Sequence, residues 1–90
     1  MSSEHKTYRQ ILSEIEKAKA EIEIGAVYAH YKNPSNTYEV LGFGTFEATD
    51  ELCVMYKSNY GERLTFIRPV DIWLENVEWN GKLVPRFKKL

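Results

Sequence analysis

Few side chains in this chain could do chemistry, and they are widely spaced. His5 and His30 are the two histidines, Cys53 is the single cysteine, and Arg68 is the one charge in the run "TFIRPVDIW" that otherwise reads as apolar until Asp71. A metal centre of the usual kind wants three or four His, Cys, Asp or Glu ligands, and neither an HExxH nor a CxxC spacing occurs. Cys53 lies in the alternating run "ELCVMYK", where a buried structural thiol is the ordinary outcome. Gly42 and Gly44 are followed by neither a third glycine nor a well-placed lysine, so no phosphate-cradling loop is present. The expectation is a protein with no catalytic residue, no metal and no cofactor.

Arg68 admits two readings. In an alternating strand it shares a face with Leu64 and Phe66, and a buried guanidinium without a partner costs several kcal/mol. Asp71, Glu75 or Glu51 could pair with it, or its fork could grip turn carbonyls and lock the corner at Pro69. Alternatively Arg68, Arg86 and Lys32 converge with Tyr31 and Tyr60 on an anion such as a phosphate, a nucleic-acid backbone or an acidic peptide. His30 divides in the same way. It shares a strand face with Tyr28, where it can be hydrogen-bonded inside the fold, or it stands with Lys32 at the strand end facing a ligand.

The elements that must position these residues follow from pattern. Residues 1–6 are polar and read as a frayed start. Thr7 then offers an N-cap with Gln10 three residues on, a capping box, and Tyr8, Ile11, Leu12, Ile15, Ala18 and Ile22 recur at helical spacing up to Gly25. From Ala26 the period becomes two. Strands are expected at 26–31, 37–46, 51–57 and 63–68, with turns at 33–36 and 58–62. Gly42 and Gly44 suggest a bend or bulge in the second strand. Pro69 should end the fourth, since it cannot donate to a ladder. Asp71 can cap a short helical turn carrying Ile72, Trp73 and Leu74 inward. The dipeptide Asn80-Gly81 between 75–79 and 82–87 is the preferred type I′ hairpin, leaving a basic end at Lys88 and Lys89.

Ninety residues make one domain with a small core, and the twelve aromatic residues, 13 % of the chain, supply much of it. The expected fold is mainly β: a small antiparallel SH3-like barrel over residues 25–90, preceded by an amphipathic helical extension over 1–24. The helix either covers one opening of the barrel in a monomer or pairs two copies as a homodimer. A net charge of −1 supplies no global field toward nucleic acid or an anionic membrane. One cysteine, no run of 18 apolar residues and no apolar signal core point to the cytoplasm and to no membrane association.

The blocks "YAHYKN", "YEVLG", "YG", "IRP" and "VPRF", in this order and at these intervals, resemble the bacterial family catalogued as domain of unknown function 1653. The resemblance spans about residues 25–87 and implies a compact β-domain with no established activity. Members typically carry a glycine soon after the His-Tyr-Lys block, where this chain has the longer turn Asn33-Pro34-Ser35-Asn36. They also carry a histidine and a Glu-Thr pair after the second strand, where Phe46, Ala48 and Thr49 stand here. The functional expectation is a non-enzymatic binding or adaptor module for a protein or peptide. The alternative is a nucleic-acid or other anion binder, or an enzyme accessory, built around His30, Tyr31, Lys32, Tyr60, Arg68 and Arg86.

Overall fold

In the computed structural model, which describes residues 5–90, the chain opens with helix α1, Tyr8–Glu21. Thr7 Oγ1 accepts from the Gln10 amide at 3.1 Å and Gln10 Oε1 accepts from the Thr7 amide at 2.8 Å, so the capping box forms as its spacing predicts. Residues 5 and 6 are not frayed. His5 Nδ1 and the Lys6 amide both bind Asp50 Oδ2, at 2.8 and 2.7 Å, which pins the approach to the helix; residues 1–4 lie outside the described residues. Only the second half of the apolar stripe is used. Ala18 and Ile22 are buried, while Tyr8 and Leu12 are 86 % and 62 % exposed.

The remainder is strand. β1 (Val27–His30), β2 (Thr37–Phe46), β3 (Glu51–Ser58) and β4 (Thr65–Pro69) form an antiparallel sheet, joined by β7 (Phe87–Lys89) in the order β4-β3-β2-β1-β7. Between them come the helical turn α2 (Val70–Trp73) and the hairpin β5 (Asn76–Trp79) and β6 (Lys82–Pro85). Asn80 and Gly81 both take positive φ, 54° and 80°, as a type I′ turn requires. In β2 the register steps from Val40↔Tyr56 to Gly42↔Met55, so Leu41 is bulged out.

The sheet is not closed by backbone pairing, which corrects the expectation of an SH3-like barrel. Its two edges face each other through side chains instead. Trp73 enters the gap from α2, stacks on Phe87 of β7 with ring centroids 3.8 Å apart, and meets Tyr28 and Tyr56 edge-on. Arg68 of β4 lies over the same Phe87 ring, 5.5 Å from its centroid. An indole and a guanidinium thus occupy the place where a ladder would have closed a barrel. The core beneath them is Ile22, Tyr28, Val40, Val54, Tyr56, Trp73 and Phe87. Trp73, expected inward, is 2 % exposed, whereas Trp79 sits on the open hairpin and is 39 % exposed.

β4 ends at Pro69, as expected, and Pro69 itself still pairs with Cys53 because its missing N–H falls on the side away from β3. The last strands differ from expectation. The segment "KLVPRF" is not one arm: β6 ends at Pro85, and after Arg86 the chain changes partner, so that Phe87, Lys88 and Lys89 pair with His30, Ala29 and Tyr28. Lys88 and Lys89 are therefore strand residues that remain exposed, and the Lys89 ammonium is ion-paired with Glu23.

Candidate functional site

The concave face of the curled sheet gathers basic and aromatic groups. Alternation places Tyr28 and His30 of β1, Tyr38 and Val40 of β2, Val54 and Tyr56 of β3, Phe66 and Arg68 of β4 and Phe87 of β7 on this side, and the register brings them into rows: Tyr28↔Tyr38, Val40↔Tyr56, Tyr56↔Phe66, Val54↔Arg68 and His30↔Phe87. Tyr38 meets Tyr56, Tyr60 and Phe87 edge-to-face at 5.6 to 5.8 Å.

Arg68 is held on this aromatic floor without a carboxylate. Its Nε donates to Tyr56 Oη at 3.2 Å, and its guanidinium rests on Phe87. The expected pairing with Asp71, Glu75 or Glu51 does not form: among the described residues no carboxylate lies within ion-pair distance of Arg68. The half-buried side chain keeps its remaining donors for solvent or a ligand.

Arg86 is in the opposite condition. Its Nη2 donates to Glu75 Oε1 at 2.7 Å and its Nε to the Ile72 carbonyl at 3.1 Å, while the backbone amide of Arg86 donates to the Glu75 carbonyl at 3.1 Å. It fastens the end of α2 to the junction of β6 and β7. Two of the Arg86 donors are thus engaged within the fold, and its charge is still felt nearby.

His30 reports that field. Burial holds its pKa below the usual 6.5, and Arg68, then Arg86, then Lys32 push in the same direction. Its Nδ1 accepts from the Lys32 amide at 3.2 Å, which leaves the proton of the neutral ring on Nε2. The ring meets Phe87 edge-on at 5.4 Å and Tyr31 at 4.7 Å, and Tyr31 in turn meets Trp79 of the hairpin at 5.4 Å. Lys32 is exposed, with its ammonium 6.0 Å from the Tyr31 ring. Tyr60 closes the far side: its hydroxyl is hydrogen-bonded to Tyr38 Oη at 2.8 Å, and burial together with this bond pushes the Tyr38 phenol up to about 12. Of the six residues expected at a site, five frame this face, while Arg86 sits behind it in a structural pair. The aromatic floor under Arg68 was missed, although its signal lay in the alternation of Tyr38 with Val40 and of Val54 with Tyr56.

A groove of about 870 Å³ lies elsewhere, between α1 and α2, lined by residues including Ala18, Glu21, Leu52, Pro69, Val70 and Leu74. None of the six expected residues enters it. Cys53 is buried, and burial raises its thiol pKa, as a structural cysteine requires. Among the described residues no group of three His, Cys, Asp or Glu is placed to hold a metal, and no helix is long and apolar enough to cross a membrane.

An open, curled antiparallel sheet with a helical turn plugging its mouth is the architecture to be placed among known proteins. The family described as "Protein of unknown function (DUF1653)" matches residues 26–89, and the chain belongs to that family. Among solved structures, a protein belonging to DUF1653 from Bordetella bronchiseptica is similar with a TM-score of 0.67 and 30 % sequence identity, over 78 % of this chain and 90 % of that one. No curated protein matches the chain.

Proposed function

We propose that this protein is a non-enzymatic binding module whose concave face receives an anionic group of a protein or peptide partner. One observation carries the reading: Arg68 is oriented by Tyr56 Oη and the Phe87 ring but has no carboxylate among the described residues. An arginine fixed in this way has already lost much of its side-chain freedom, so a carboxylate or phosphate arriving there meets a preorganised donor. Lys32 adds a second positive charge, and the neutral His30 adds an Nε2 donor. The site has one histidine and no acid or nucleophile beside it, which favours recognition over turnover. Nucleic acid is the weaker partner because the rings are already engaged with one another: Trp73 covers a face of Phe87, and Tyr38 and Tyr56 meet their neighbours edge-on. Little free platform is left for a base.

The test is a nuclear magnetic resonance titration with N-acetylglutamate N-methylamide and, separately, inorganic phosphate. Saturable shifts at the Arg68 Nε–H and the His30 ring, lost in Arg68→Ala, are expected. Equal shifts in the parent protein and in Arg68→Ala would refute the reading.

A further inference from the structure

Resting on that reading, we infer that the anionic group arrives on an extended peptide that adds as a sixth strand to the free edge of β4, with an acidic side chain opposite Arg68. β4 is one end of the five-stranded order, and among the described residues no strand pairs with its outer edge, although the Arg68 side chain reaches across to the Phe87 ring of β7. The alternation of its peptide groups is fixed. Ser58 N–H donates to the Leu64 carbonyl at 3.0 Å, and the pairs Tyr56↔Phe66 and Val54↔Arg68 continue the same register, so Leu64, Phe66 and Arg68 turn their N–H and C=O toward β3. Thr65 and Ile67 therefore direct theirs outward. Pro69, the next outward position, has no N–H and marks where such a ladder stops.

This edge lacks the protection that sheets normally give an edge. At the other end of the sheet β7 is three residues long and carries Lys88 and Lys89. Along β4, by contrast, Leu64, Phe66 and Ile67 are 57, 39 and 60 % exposed, and Arg68 is the single charge of the strand. Charge decides the occupant. A second copy of β4 brings no acid, since Thr65–Pro69 contains none. A peptide can supply one where it is wanted: on an added antiparallel strand, the residue facing Arg68 sits in a non-hydrogen-bonded pair with Cβ atoms roughly 4.5 to 5.5 Å apart and on the concave side. Asp or Glu there reaches the guanidinium. Two residues on, the same face of the peptide lies over Phe66 and suits an aromatic or β-branched side chain, and the residue between them covers Ile67 on the other face. The recognised pattern is thus acid, apolar, aromatic or β-branched, in an extended segment whose amides at the second and fourth positions pair with Ile67 and Thr65.

The experiment compares the peptide Ser-Thr-Glu-Val-Tyr-Thr-Val-Ser, acetylated and amidated at its ends, with three variants: Glu replaced by Gln, the first Val N-methylated, and Tyr N-methylated. Binding is followed at the Thr65 and Ile67 amides and at Arg68 Nε–H. Methylation of Val, whose amide faces β4, should weaken binding at least about tenfold, while methylation of Tyr, whose amide faces away, should change it by less than about threefold. Gln for Glu should cost about tenfold in the parent protein and nothing in Arg68→Ala. If N-acetylglutamate N-methylamide shifts Arg68 but the octapeptide binds no better, or is indifferent to methylation of Val, strand addition is overturned and the anion site stands. If neither probe shifts Arg68, both readings fall. Thr65 and Ile67 amides that shift with protein concentration alone would assign the edge to a second copy and overturn the inference.

Discussion

Arg68 and Arg86 both lower the proton affinity of His30, and they belong to opposite kinds of site. Arg86 has a carboxylate and a backbone carbonyl on its fork and joins three elements. Arg68 has a phenol and a ring face, and donors to spare. The difference is one of purpose in physical terms: a satisfied fork holds the fold together, and a fork held in place but unsatisfied is available to something outside the fold. Both sit in similar sequence, next to a proline, so neither residue type nor neighbour distinguishes them. The acid within reach does.

The largest effect should come from removing the ring under Arg68. Phe87→Ala empties a core position stacked on Trp73 and should cost about 3 to 5 kcal/mol in a denaturant melt; a cost under about 1 kcal/mol would mean the mouth of the sheet is not held by this stack. Next comes Arg86→Ala, which unpairs Glu75 and removes the side-chain bond to the Ile72 carbonyl, leaving that carbonyl its bond from the Glu75 amide. Since Glu75 is half exposed, screening limits the loss to about 1 to 2 kcal/mol, and Arg86→Lys should recover only part of it. Arg68→Ala should be milder, below about 1 kcal/mol, because only one neutral-acceptor bond and a ring contact are lost. If the two alanine variants melted together, the proposed division of labour would be wrong.

The smallest effect is the most specific. His30 has a folded pKa below its unfolded 6.5, so the unfolded chain takes up the proton first. The stability linked to His30 is intact above pH 6.5 and declines as the pH falls from 6.5 toward the folded value. Arg68→Ala should raise the His30 pKa toward 6.5, and Arg86→Ala should raise it less, in the order of their contributions. An anion bound at Arg68 should raise it as well. Ring-proton chemical shifts followed against pH would show all three, and an unchanged His30 in Arg68→Ala would remove Arg68 from the neighbourhood of the histidine.

Local rules made part of this legible in advance. The Thr7–Gln10 box, the limits of β2 at 37–46 and the Asn80-Gly81 turn depend on a few adjacent residues, and they stand where pattern puts them. Choice of partner is another matter. "KLVPRF" reads as one arm after the turn, yet Pro85 pairs with Asn76 and Phe87 with His30, because a strand pattern says which side a residue faces and nothing about which strand lies beside it. The closure of the sheet was misjudged for the same reason: Trp73 was expected inward, but that it would fill the gap between edges depends on α2 folding across the mouth. At the site, His30 and Arg68 could be singled out as residues, while the absent carboxylate of Arg68 and the present one of Arg86 are tertiary facts. His5 and Lys6 were read as loose because the anchor they share, Asp50, is more than forty positions away.

Leu41, the residue bulged from β2, acts as a phase shifter. Up to it the even-numbered residues Tyr38 and Val40 face the core, and beyond it the odd-numbered Phe43 does, while β3 keeps one parity throughout. The strand is in effect two half-strands written in opposite reading frames and spliced at one position. Deleting that single residue would leave Val40↔Tyr56 and Gly42↔Met55 as consecutive pairs, so both half-strands would keep their facing and the strand would lose only its bulge, whereas a deletion anywhere else within either half would turn the residues beyond it inside out.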